Sequence, residues 1–474
     1  MINIALLKEQ NPWWIAKEKI KDDVNLEKLR RVKYKWHPKV IDSFNLKKDA
    51  IYTLRGSRQI GKTTLLKLLI AQLLKDNNKE NICYFTCNAI DSFKELIEIL
   101  QIYFNWTNNN NRKFIFIDEV TFVKGWTKAI KHLADLGRLR GCFIILTGSN
   151  SHDLKYEVER MPGRRGEDPE LDKILFPLSF REYVNLTAPD IIAKTRGIKL
   201  LKKNYSFYKK ELRKYLNDFL LTGGFIQAIN SFAGQDKVDV DIYNQYLSWI
   251  LGDLARLGKN ELYSRQIFEQ IINCVTTNLG YDTIAKKTTI DSHLTVKDYL
   301  DVMESNFIIK ILYQIDMNKR LMAHRKTKKI YFQDLFLLWV FMGYVYGLSD
   351  YFSYSSNKLY DSIFKAKLIE NLVISQLIKL ENSINWSNVV FFFRTQNQNE
   401  VDFVIKGPKA KLLPIETKYK RKVGLKDFLS LDKINRSKGI IISRDNFIIK
   451  GGKWILPPEA FLILDLDFLK PYGA

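Results

Sequence analysis

The sequence has few cysteines and no long apolar run, and each shortage excludes a class of protein. Four cysteines in 474 residues give no disulfide framework, and Cys83 and Cys87 have no second cysteine pair or histidine nearby that would complete a metal site. The longest apolar run, residues 335–348, contains two glycines and is shorter than the roughly 20 residues of a membrane-spanning helix. We therefore expect this run to form a buried core helix.

The first residues and the net charge lead to expectations about location and partners. Its first ten residues, MINIALLKEQ, have no basic-then-apolar layout of a signal peptide, so we expect a cytoplasmic protein that does not bind membranes. Lys and Arg outnumber Asp and Glu by 75 − 52 = 23. Such an excess indicates a polyanionic partner, because neutralising phosphates releases counterions. DNA is the partner we expect, while RNA and a merely solvated basic surface stay open as alternatives.

The pattern of apolar segments divides the chain into domains, with no internal repeat. Four short apolar strands (IYTLRG, NICYFTCN, FIFIDE and CFIILTGS) alternate with helical patterns, which predicts a parallel sheet covered on both faces. A later helix is followed by two strand-like segments around a basic turn, which favours a winged helix-turn-helix. The predicted boundaries are an N-terminal extension at 1–50 packed on the first α/β domain at 51–180, a helical domain at 181–270, a winged-helix-like domain at 271–345 and a second α/β domain at 346–474.

Residues 56–64, GSRQIGKTT, match the phosphate-loop pattern G-x-x-x-x-G-K-[ST] between a strand and an apolar helix. Two glycines let the backbone approach phosphate oxygens closely, and successive N–H groups bind them at the helix N-terminus. Lys62 can reach the outer phosphates, and the Thr63 hydroxyl can ligate magnesium. ATP and Mg²⁺ are therefore the predicted cofactors. The nucleotide-binding residues of this loop are Gly56, Ser57, Arg58, Gln59, Ile60, Gly61, Lys62, Thr63 and Thr64.

Two further strand ends complete the predicted nucleotide site. FIFIDE ends in Asp118, which can hold the metal with its water shell, and Glu119, which can orient and deprotonate the attacking water. The strand CFIILTGSN ends in Thr147, Ser149 and Asn150, one of which can contact the γ-phosphate; a helix-capping turn is the alternative. Phosphate loop and acidic strand end, in this order, predict an ATPase.

A charged loop, ERMPGRRGED, supplies two candidate arginine fingers, Arg164 and Arg165. Either could neutralise transition-state charge on ATP held by a neighbouring subunit, which would make the protein a homo-oligomer. Alternatively, the pair binds acidic neighbours or a DNA backbone. The sequence does not choose between the two arginines.

A second set of chemically suitable residues lies near the C-terminus. Asp402 is on the segment EVDFVIK, and Glu416 and Lys418 share one face of LPIETKYK because residues two apart in a strand point the same way. If the two strands form a hairpin, two carboxylates and an ammonium converge. This combination suits metal-assisted phosphodiester cleavage, with both carboxylates as metal ligands. An E-x-K strand also occurs by chance, so a binding role stays open.

In combination, these motifs resemble those of prokaryotic, mainly archaeal, AAA+-type ATPases fused to a C-terminal nuclease-like region. The shared segments are GSRQIGKTTL, FIFIDEV, TGSN, the GRR loop with FPLSFREY, LLTGGF, IEN, EVDFVI and IETK, and they span nearly the whole chain. The resemblance implies an AAA+-like core, a winged helix and a restriction-endonuclease-like domain with a PD-(D/E)XK signature. It adds Glu370 as a further metal-binding acid.

Two functions remain open at this stage. In the first, an ATP-hydrolysing protein acts on DNA through a winged helix and a metal-dependent nuclease domain. In the second, the chain is an ATP-dependent regulatory switch whose C-terminal domain binds DNA or protein without cleaving.

Overall fold

The computed structural model describes residues 4–107, 109–148, 163–380, 389–395, 399–407 and 411–465, with Leu154, Glu157, Met161 and Leu469 as single positions. The chain divides into two compact units, Met1–Phe176 and Pro177–Ala474. Each has its own sheet and its own buried apolar core.

The first unit is built on a five-stranded parallel sheet with the order β2-β3-β4-β1-β5. Its central strands are buried along their whole length, as expected for apolar strands covered on both faces. The predicted parallel sheet is thus confirmed. The strands are β1 Ala50–Arg55, β2 Ile82–Thr86, β3 Lys113–Asp118, β4 Cys142–Thr147 and β5 Asp172–Ile174. The helices are α1 Ile4–Gln10, α2 Val24–Arg31, α3 Lys62–Asp76, α4 Phe93–Thr107 and α5 Trp126–Asp135.

Side chains from the N-terminal segment cover the outer edge of strand β2. Asn11 bonds the backbone of Tyr84 twice, with Nδ2 2.8 Å from its carbonyl and Oδ1 2.6 Å from its amide nitrogen. The indole nitrogens of Trp13 and Trp14 both donate to the Ile82 carbonyl, at 3.0 and 2.8 Å. An edge strand exposes backbone groups that can pair with another chain. These side chains satisfy such groups here.

The second unit begins with helices. The long α8 is bound to the C-terminal part of the unit through Arg213, whose guanidinium lies 2.8 Å from Glu459 Oε1 and 2.7 Å from Asp445 Oδ1. The helices up to the next strand are α6 Phe180–Thr187, α7 Pro189–Thr195, α8 Gly197–Thr222, α9 Ile226–Gln235, α10 Val240–Arg256 and α11 Glu261–Asn273.

The LLTGGF segment ends helix α8 in a turn that requires glycine. Gly223 has φ +57°, and a Cβ added there would lie 1.9 Å from Asp334 Oδ1. The buried Asp334 carboxylate accepts hydrogen bonds from the amides of Gly224 at 2.9 Å and Phe336 at 2.8 Å. It therefore connects this turn to the start of helix α14, Leu335–Tyr346. Burial raises the pKa of Asp334 to about 6.

Helix α14 is the apolar run noted in the sequence, and its residues 335–343 are buried, so the prediction of a core helix is confirmed. Within the described ranges, no single helix is both long and apolar enough to cross a membrane. Helices α14 and α15, Tyr351–Lys358, pass the same length and composition test only as a pair, with a bend of 114° between them.

A three-stranded antiparallel sheet with the order β6-β10-β7 follows helix α11 and packs with two helices. A short ribbon, β8 with β9, lies in the connection from β7 to β10. The elements are β6 Asn278–Leu279, α12 Tyr281–Lys286, α13 His293–Ser305, β7 Ile309–Tyr313, β8 Ile315–Asp316, β9 Leu321–Met322 and β10 Lys328–Phe332.

The unit ends in a six-stranded mixed sheet with the order β11-β12-β13-β14-β16-β15. β12 and β13 pair antiparallel, which confirms the predicted hairpin, and β13 runs parallel to β14. Helix α16, Ser362–Leu377, precedes the sheet and α17, Pro458–Leu462, follows it. The strands are β11 Val390–Arg394, β12 Glu400–Lys406, β13 Leu412–Lys418, β14 Gly439–Ser443, β15 Ile448–Lys450 and β16 Lys453–Leu456.

Candidate nucleotide site and acidic cluster

The loop at residues 56–61 leaves strand β1 and enters helix α3, which begins at Lys62. Gly61 adopts φ +101° and Gln59 φ +57°, so the backbone turns through conformations that L-residues rarely adopt. Gly56 is required by a close approach, since a Cβ there would lie 2.5 Å from the Leu175 carbonyl oxygen. The geometry places a helix N-terminus at the end of a turned loop, which favours binding of phosphate.

The side chains of this loop fit a nucleotide. The buried Lys62 ammonium donates to the carbonyls of Gly56 at 3.0 Å and Ser57 at 3.2 Å, so it is folded back over the loop. In the described part of the chain, the buried Ser57 hydroxyl finds no hydrogen-bond partner. A buried polar group without a partner costs free energy, and phosphate oxygens would supply the missing bonds. Arg58, Ile60 and Thr64, the remaining predicted nucleotide-binding residues, lie in the same loop and first helical turn.

Asp118 lies at the end of strand β3 and is 2% exposed. Its Oδ2 accepts hydrogen bonds from the Thr63 hydroxyl at 2.6 Å and the Tyr84 hydroxyl at 2.9 Å. Its Oδ1 accepts from the Thr147 hydroxyl and from the Glu119 amide, the latter at 3.2 Å. The hydroxyl and carboxylate predicted to hold magnesium are therefore in direct contact. Thr63 and Asp118 would hold magnesium through these oxygens, and the ion would supply positive charge next to the phosphates.

Glu119 is held in an unusual backbone conformation beside Asp118. Its φ is +54°, a left-handed value that is uncommon for a residue with a side chain and is typical of functional sites. Its amide also donates to the Thr147 hydroxyl at 3.2 Å. Thr147, at the end of β4, thus fixes both acidic residues. Ser149 and Asn150, the other two candidates for the γ-phosphate contact, lie outside the described residues.

The two candidate arginine fingers have different surroundings. The Arg165 side chain, 12% exposed, bonds Asp172 at 2.9 Å and the carbonyls of Ile51 and Leu171, both at 3.2 Å. The Arg164 side chain is 39% exposed and pairs with Asp135 at 2.7 Å, which raises the pKa of its guanidinium. Arg165 therefore holds strands together within its own unit, whereas Arg164 pairs, among the described residues, with the exposed Asp135.

Tyr84 was not singled out from the sequence, although it contacts the metal-binding carboxylate. It lies on β2, next to β3, and burial raises the pKa of its phenol well above the usual range, so it stays a neutral donor. The Lys67 ammonium lies 3.4 Å from the centre of the Tyr84 ring and 3.3 Å from Asp23 Oδ2. The only sequence signal was a tyrosine within an otherwise apolar strand.

The second unit gathers the other predicted site residues around strands β12 and β13. Asp402 lies on β12, and its Oδ2 accepts a hydrogen bond from the Thr417 amide of β13 at 2.8 Å. Glu416 Oε2 accepts from the Ser430 hydroxyl at 2.7 Å, and its Oε1 is 3.3 Å from the Lys418 ammonium. Glu416 and Lys418 thus share a face as predicted. Burial raises the pKa of Glu416.

A lysine that the sequence did not assign to this site lies among the acids. The Lys329 ammonium, on strand β10, is 3.1 Å from Glu370 Oε1, 3.1 Å from Asp402 Oδ1 and 2.5 Å from Glu400 Oε1. Its side chain is 1% exposed. We call Lys329 with Glu370, Glu400 and Asp402 the acidic cluster.

Helix α16 fixes β10 against this cluster. The Tyr331 hydroxyl donates to Glu370 Oε1 at 2.7 Å. Asn371, the next residue, bonds both backbone groups of Phe332, accepting at 3.0 Å and donating at 2.9 Å. The IEN segment therefore contacts strand β10 through Glu370 and Asn371.

Burial and charge act together on the acidic cluster. Burial raises the pKa of Glu370 to about 8, with a further rise from Asp402 that Lys329 partly offsets. Burial alone would lower the pKa of the Lys329 ammonium, but the adjacent phenol and three carboxylates raise it well above its usual range. Lys329 therefore stays charged. Across the described ranges, no group of three or more acidic, histidine or cysteine side chains is placed to hold a metal ion.

The first unit is thus a P-loop nucleotide-binding fold of the AAA+ type. Residues 48–184 match the model of the AAA domain family AAA_14, in agreement with the parallel sheet and the loop geometry. Residues 213–344 match a domain of unknown function, DUF8612, and residues 365–461 match another, DUF4143.

Two curated relatives match most of the chain. The uncharacterized protein MJ1544 of Methanocaldococcus jannaschii is 26% identical over 411 residues, 82% of this chain and 81% of the relative. The uncharacterized protein MJ1637 of the same organism is 24% identical over 446 residues, 89% of this chain and 86% of the relative. Among solved structures, the Walker-type ATPase paby2304 of Pyrococcus abyssi matches with a TM-score of 0.38 at 14% identity, over 62% of this chain and 91% of that one. A TM-score of this size is too low to transfer function.

Proposed function

We propose that the protein hydrolyses ATP and uses the nucleotide cycle to act on DNA. The observation that carries the ATPase part is the contact of the Thr63 hydroxyl with Asp118 at 2.6 Å beside the phosphate loop, with Glu119 next in the chain. Thr63 and Asp118 hold magnesium, Lys62 contacts the outer phosphates, and Glu119 activates the water.

Two features support DNA as the polyanion. The elements α11, β6, α12, α13, β7 and β10 follow the order of a winged helix-turn-helix, with the β8–β9 ribbon in the place of a wing. Beside this ribbon lies a groove of about 720 Å³ whose lining includes four cationic side chains, those of Lys319, Arg325, Lys326 and Lys406, together with Asp316 and apolar residues. Of the four cations, Lys319, Arg325 and Lys326 are exposed. Cations on one groove suit a phosphate backbone.

The test of DNA action is ATP turnover with and without duplex, single-stranded and branched DNA. Turnover stimulated by DNA is expected for the native chain, with stimulation falling steeply as salt rises. Changing Lys319, Arg325 and Lys326 together to alanine should abolish the stimulation and keep basal turnover. A matched control changes the exposed Lys199, Lys202 and Lys203 of helix α8, so the net charge falls equally. Equal stimulation in both triple variants would contradict the groove as the DNA contact.

We further propose that Arg164 is the arginine finger and acts on ATP bound by a second copy of the chain. The greater exposure of Arg164, 39% against 12% for Arg165, supports this choice. Lys62→Ala and Arg164→Ala should each be inactive alone. A mixture should regain part of the turnover, because some interfaces then combine an intact loop with an intact arginine. A mixture that stays inactive would contradict action across subunits.

The C-terminal α/β part has two candidate roles. Asp402, Glu370, Glu416 and Lys418 are the residue types of a metal-dependent nuclease, and strand pairing of β12 with β13 supports that role. The second role is a non-cleaving module in an ATP-dependent switch, which the position of Lys329 among the acids favours. Cleavage of labelled DNA with Mg²⁺ or Mn²⁺, with and without ATP, separates them. Cleavage lost in Asp402→Ala indicates a nuclease, and Lys62→Ala shows whether nucleotide controls it.

A further inference from the structure

The acidic cluster contains a cation of its own. Three carboxylate oxygens lie 2.5 to 3.1 Å from the Lys329 nitrogen. These are hydrogen-bond lengths, longer than the roughly 2.0–2.1 Å between magnesium and its oxygen ligands. An ammonium donates three N–H bonds, and three acceptors are present. In this geometry the cluster fits an ammonium and not a divalent ion.

The position of Lys329 is fixed by its strand. β10 is the central strand of its sheet, paired with β6 on one side and β7 on the other. Asn371 binds the Phe332 backbone on the same strand, and Tyr331 binds Glu370 from the same face as Lys329. Strand pairing and the contacts with helix α16 fix the backbone of Lys329. The three surrounding acids and the burial of the side chain hold the ammonium in the cluster.

We propose that Lys329 is the permanent internal counter-ion of the acidic cluster, occupying the place of a divalent metal ion, so that the native chain binds no such ion there. The inference bears on the second part of the proposed function, because it assigns the C-terminal α/β part to binding without metal-dependent cleavage. ATP turnover and its stimulation by DNA do not depend on it.

The cost of leaving a buried charge without a partner explains what this arrangement does for stability. Removing one partner from a buried ionic group leaves uncompensated charge. Lys329 therefore joins strand β10 to helix α16 and strand β12 by a polar contact that cannot be lost without destabilising all three. A lysine at this position prevents metal binding in the cluster. It also fixes how the winged-helix-like elements pack on the α/β sheet within this unit.

The test uses Mn²⁺ binding to the full chain, measured without nucleotide by the electron paramagnetic resonance signal of the free ion. The variants are Lys329→Met, the same change with Asp402→Asn, and Asp402→Asn alone. Lys328→Met is the matched control, since Lys328 is the neighbouring buried lysine of β10 and contacts the Tyr281 ring instead. Weak Mn²⁺ binding at Asp118 is common to all of these proteins and cancels.

We expect the native chain, Lys328→Met and Asp402→Asn to bind the same amount of Mn²⁺. Lys329→Met should bind about one more equivalent, and the added Asp402→Asn change should remove it. If the single variant folds poorly, its melting temperature supplies a second measurement. Mn²⁺ should raise the melting temperature of Lys329→Met by several degrees, and Asp402→Asn should raise it without metal.

Three results would overturn the inference. The first is Mn²⁺ binding to the native chain that Asp402→Asn removes, which would make the cluster a metal site already. The second is Mn²⁺ binding at the cluster that occurs only when ATP or DNA is present, which would mean that Lys329 can leave the cluster reversibly. The third is a Lys329→Met protein that neither Mn²⁺ nor Asp402→Asn affects, which would reduce the lysine to a packing residue.

Discussion

The nucleotide site is the first polar centre of the molecule and the acidic cluster is the second. They contain similar residue types, but their carboxylates have different hydrogen-bond partners. Asp118 accepts hydrogen bonds from the hydroxyls of Thr63, Tyr84 and Thr147 and from a backbone amide. These neutral donors orient a carboxylate without cancelling its charge, which leaves it suited to an external cation. Asp402 instead bonds Lys329, an internal cation. We therefore expect the partners of an acid, as much as its position, to decide whether it binds a metal.

The largest effect is expected at the water-activating residue of the first centre. Glu119→Gln should lower ATP turnover by about 10²- to 10⁴-fold, because an amide cannot accept the proton of the attacking water. ATP binding should be unchanged, whereas Lys62→Ala should abolish tight binding. Turnover and the affinity for a fluorescent ATP analogue separate the two defects. Glu98→Gln, an exposed change on helix α4, serves as the control. Normal hydrolysis by Glu119→Gln would show that another group is the general base.

The second prediction compares one buried lysine in each unit. Lys329→Met should lower the free energy of unfolding by about 3–5 kcal/mol, since it leaves the three partly buried acids of the cluster without their buried cation. Lys67→Met should cost about 1–2 kcal/mol, because its partner Asp23 keeps hydrogen bonds from the amides of Asn25 and Leu26. Urea titration of both variants measures the difference. Equal losses would show that the acidic cluster does not depend specially on its ammonium.

The two centres were not equally predictable from sequence. The nucleotide loop lies within nine consecutive residues, and short motifs of this kind determine their own geometry. Lys329 is 41 residues from Glu370 and 73 from Asp402, so no local pattern connects them. The sequence predicts the basic run at 319–329 as the turn between the two strand-like segments of the winged helix-turn-helix. Its last two lysines, Lys328 and Lys329, are instead buried at 8% and 1% exposure, since strand β10 has already begun there.

Strands and helices could also be predicted, because each is formed by a short continuous stretch of sequence. FIFIDE became strand β3, since a strand buried on both faces requires a continuous apolar sequence. EVDFVIK became strand β12, in which polar and apolar residues partly alternate. The acid Glu400 at the start of β12 was passed over, since only the fold brings it to Lys329. Tyr84 was not predicted as a site residue because it lies in a largely apolar segment. Its polar contact with Asp118 forms only once the two strands are neighbours in the sheet.

Asp334 is another buried carboxylate and extends the comparison, because its hydrogen-bond donors are backbone amides. Its pKa is raised by burial from an ordinary 3.8 to about 6, so the folded protein binds the proton more tightly than the unfolded chain. The associated stabilisation is complete below pH 3.8 and is lost as pH rises through about 6. The difference in unfolding free energy between the native chain and Asp334→Asn should therefore fall by roughly 3 kcal/mol over this window. Urea titrations of both proteins from pH 4 to 7.5 measure it. Parallel pH curves would contradict the assignment.

The smallest effect is expected from a single neutral donor at the first centre. Tyr84→Phe removes the hydroxyl that bonds Asp118 at 2.9 Å but keeps the ring beneath the Lys67 ammonium. A hydrogen bond to a charged group contributes about 1.5–3 kcal/mol, so turnover should fall by roughly 10- to 150-fold, with a higher Mg²⁺ requirement.

Tyr103→Phe is the matched control for this change. It removes another buried hydroxyl of the same unit, which bonds the Glu80 carbonyl at 3.1 Å, away from Asp118. If Tyr84 only supports packing, both variants should lose the same stability and keep the same Mg²⁺ dependence. A shift in Mg²⁺ dependence confined to Tyr84→Phe would identify the phenol as a positioning residue for Asp118. It would also support the view that neutral donors keep this carboxylate available to an external ion, in contrast to the lysine-bound acids of the second unit.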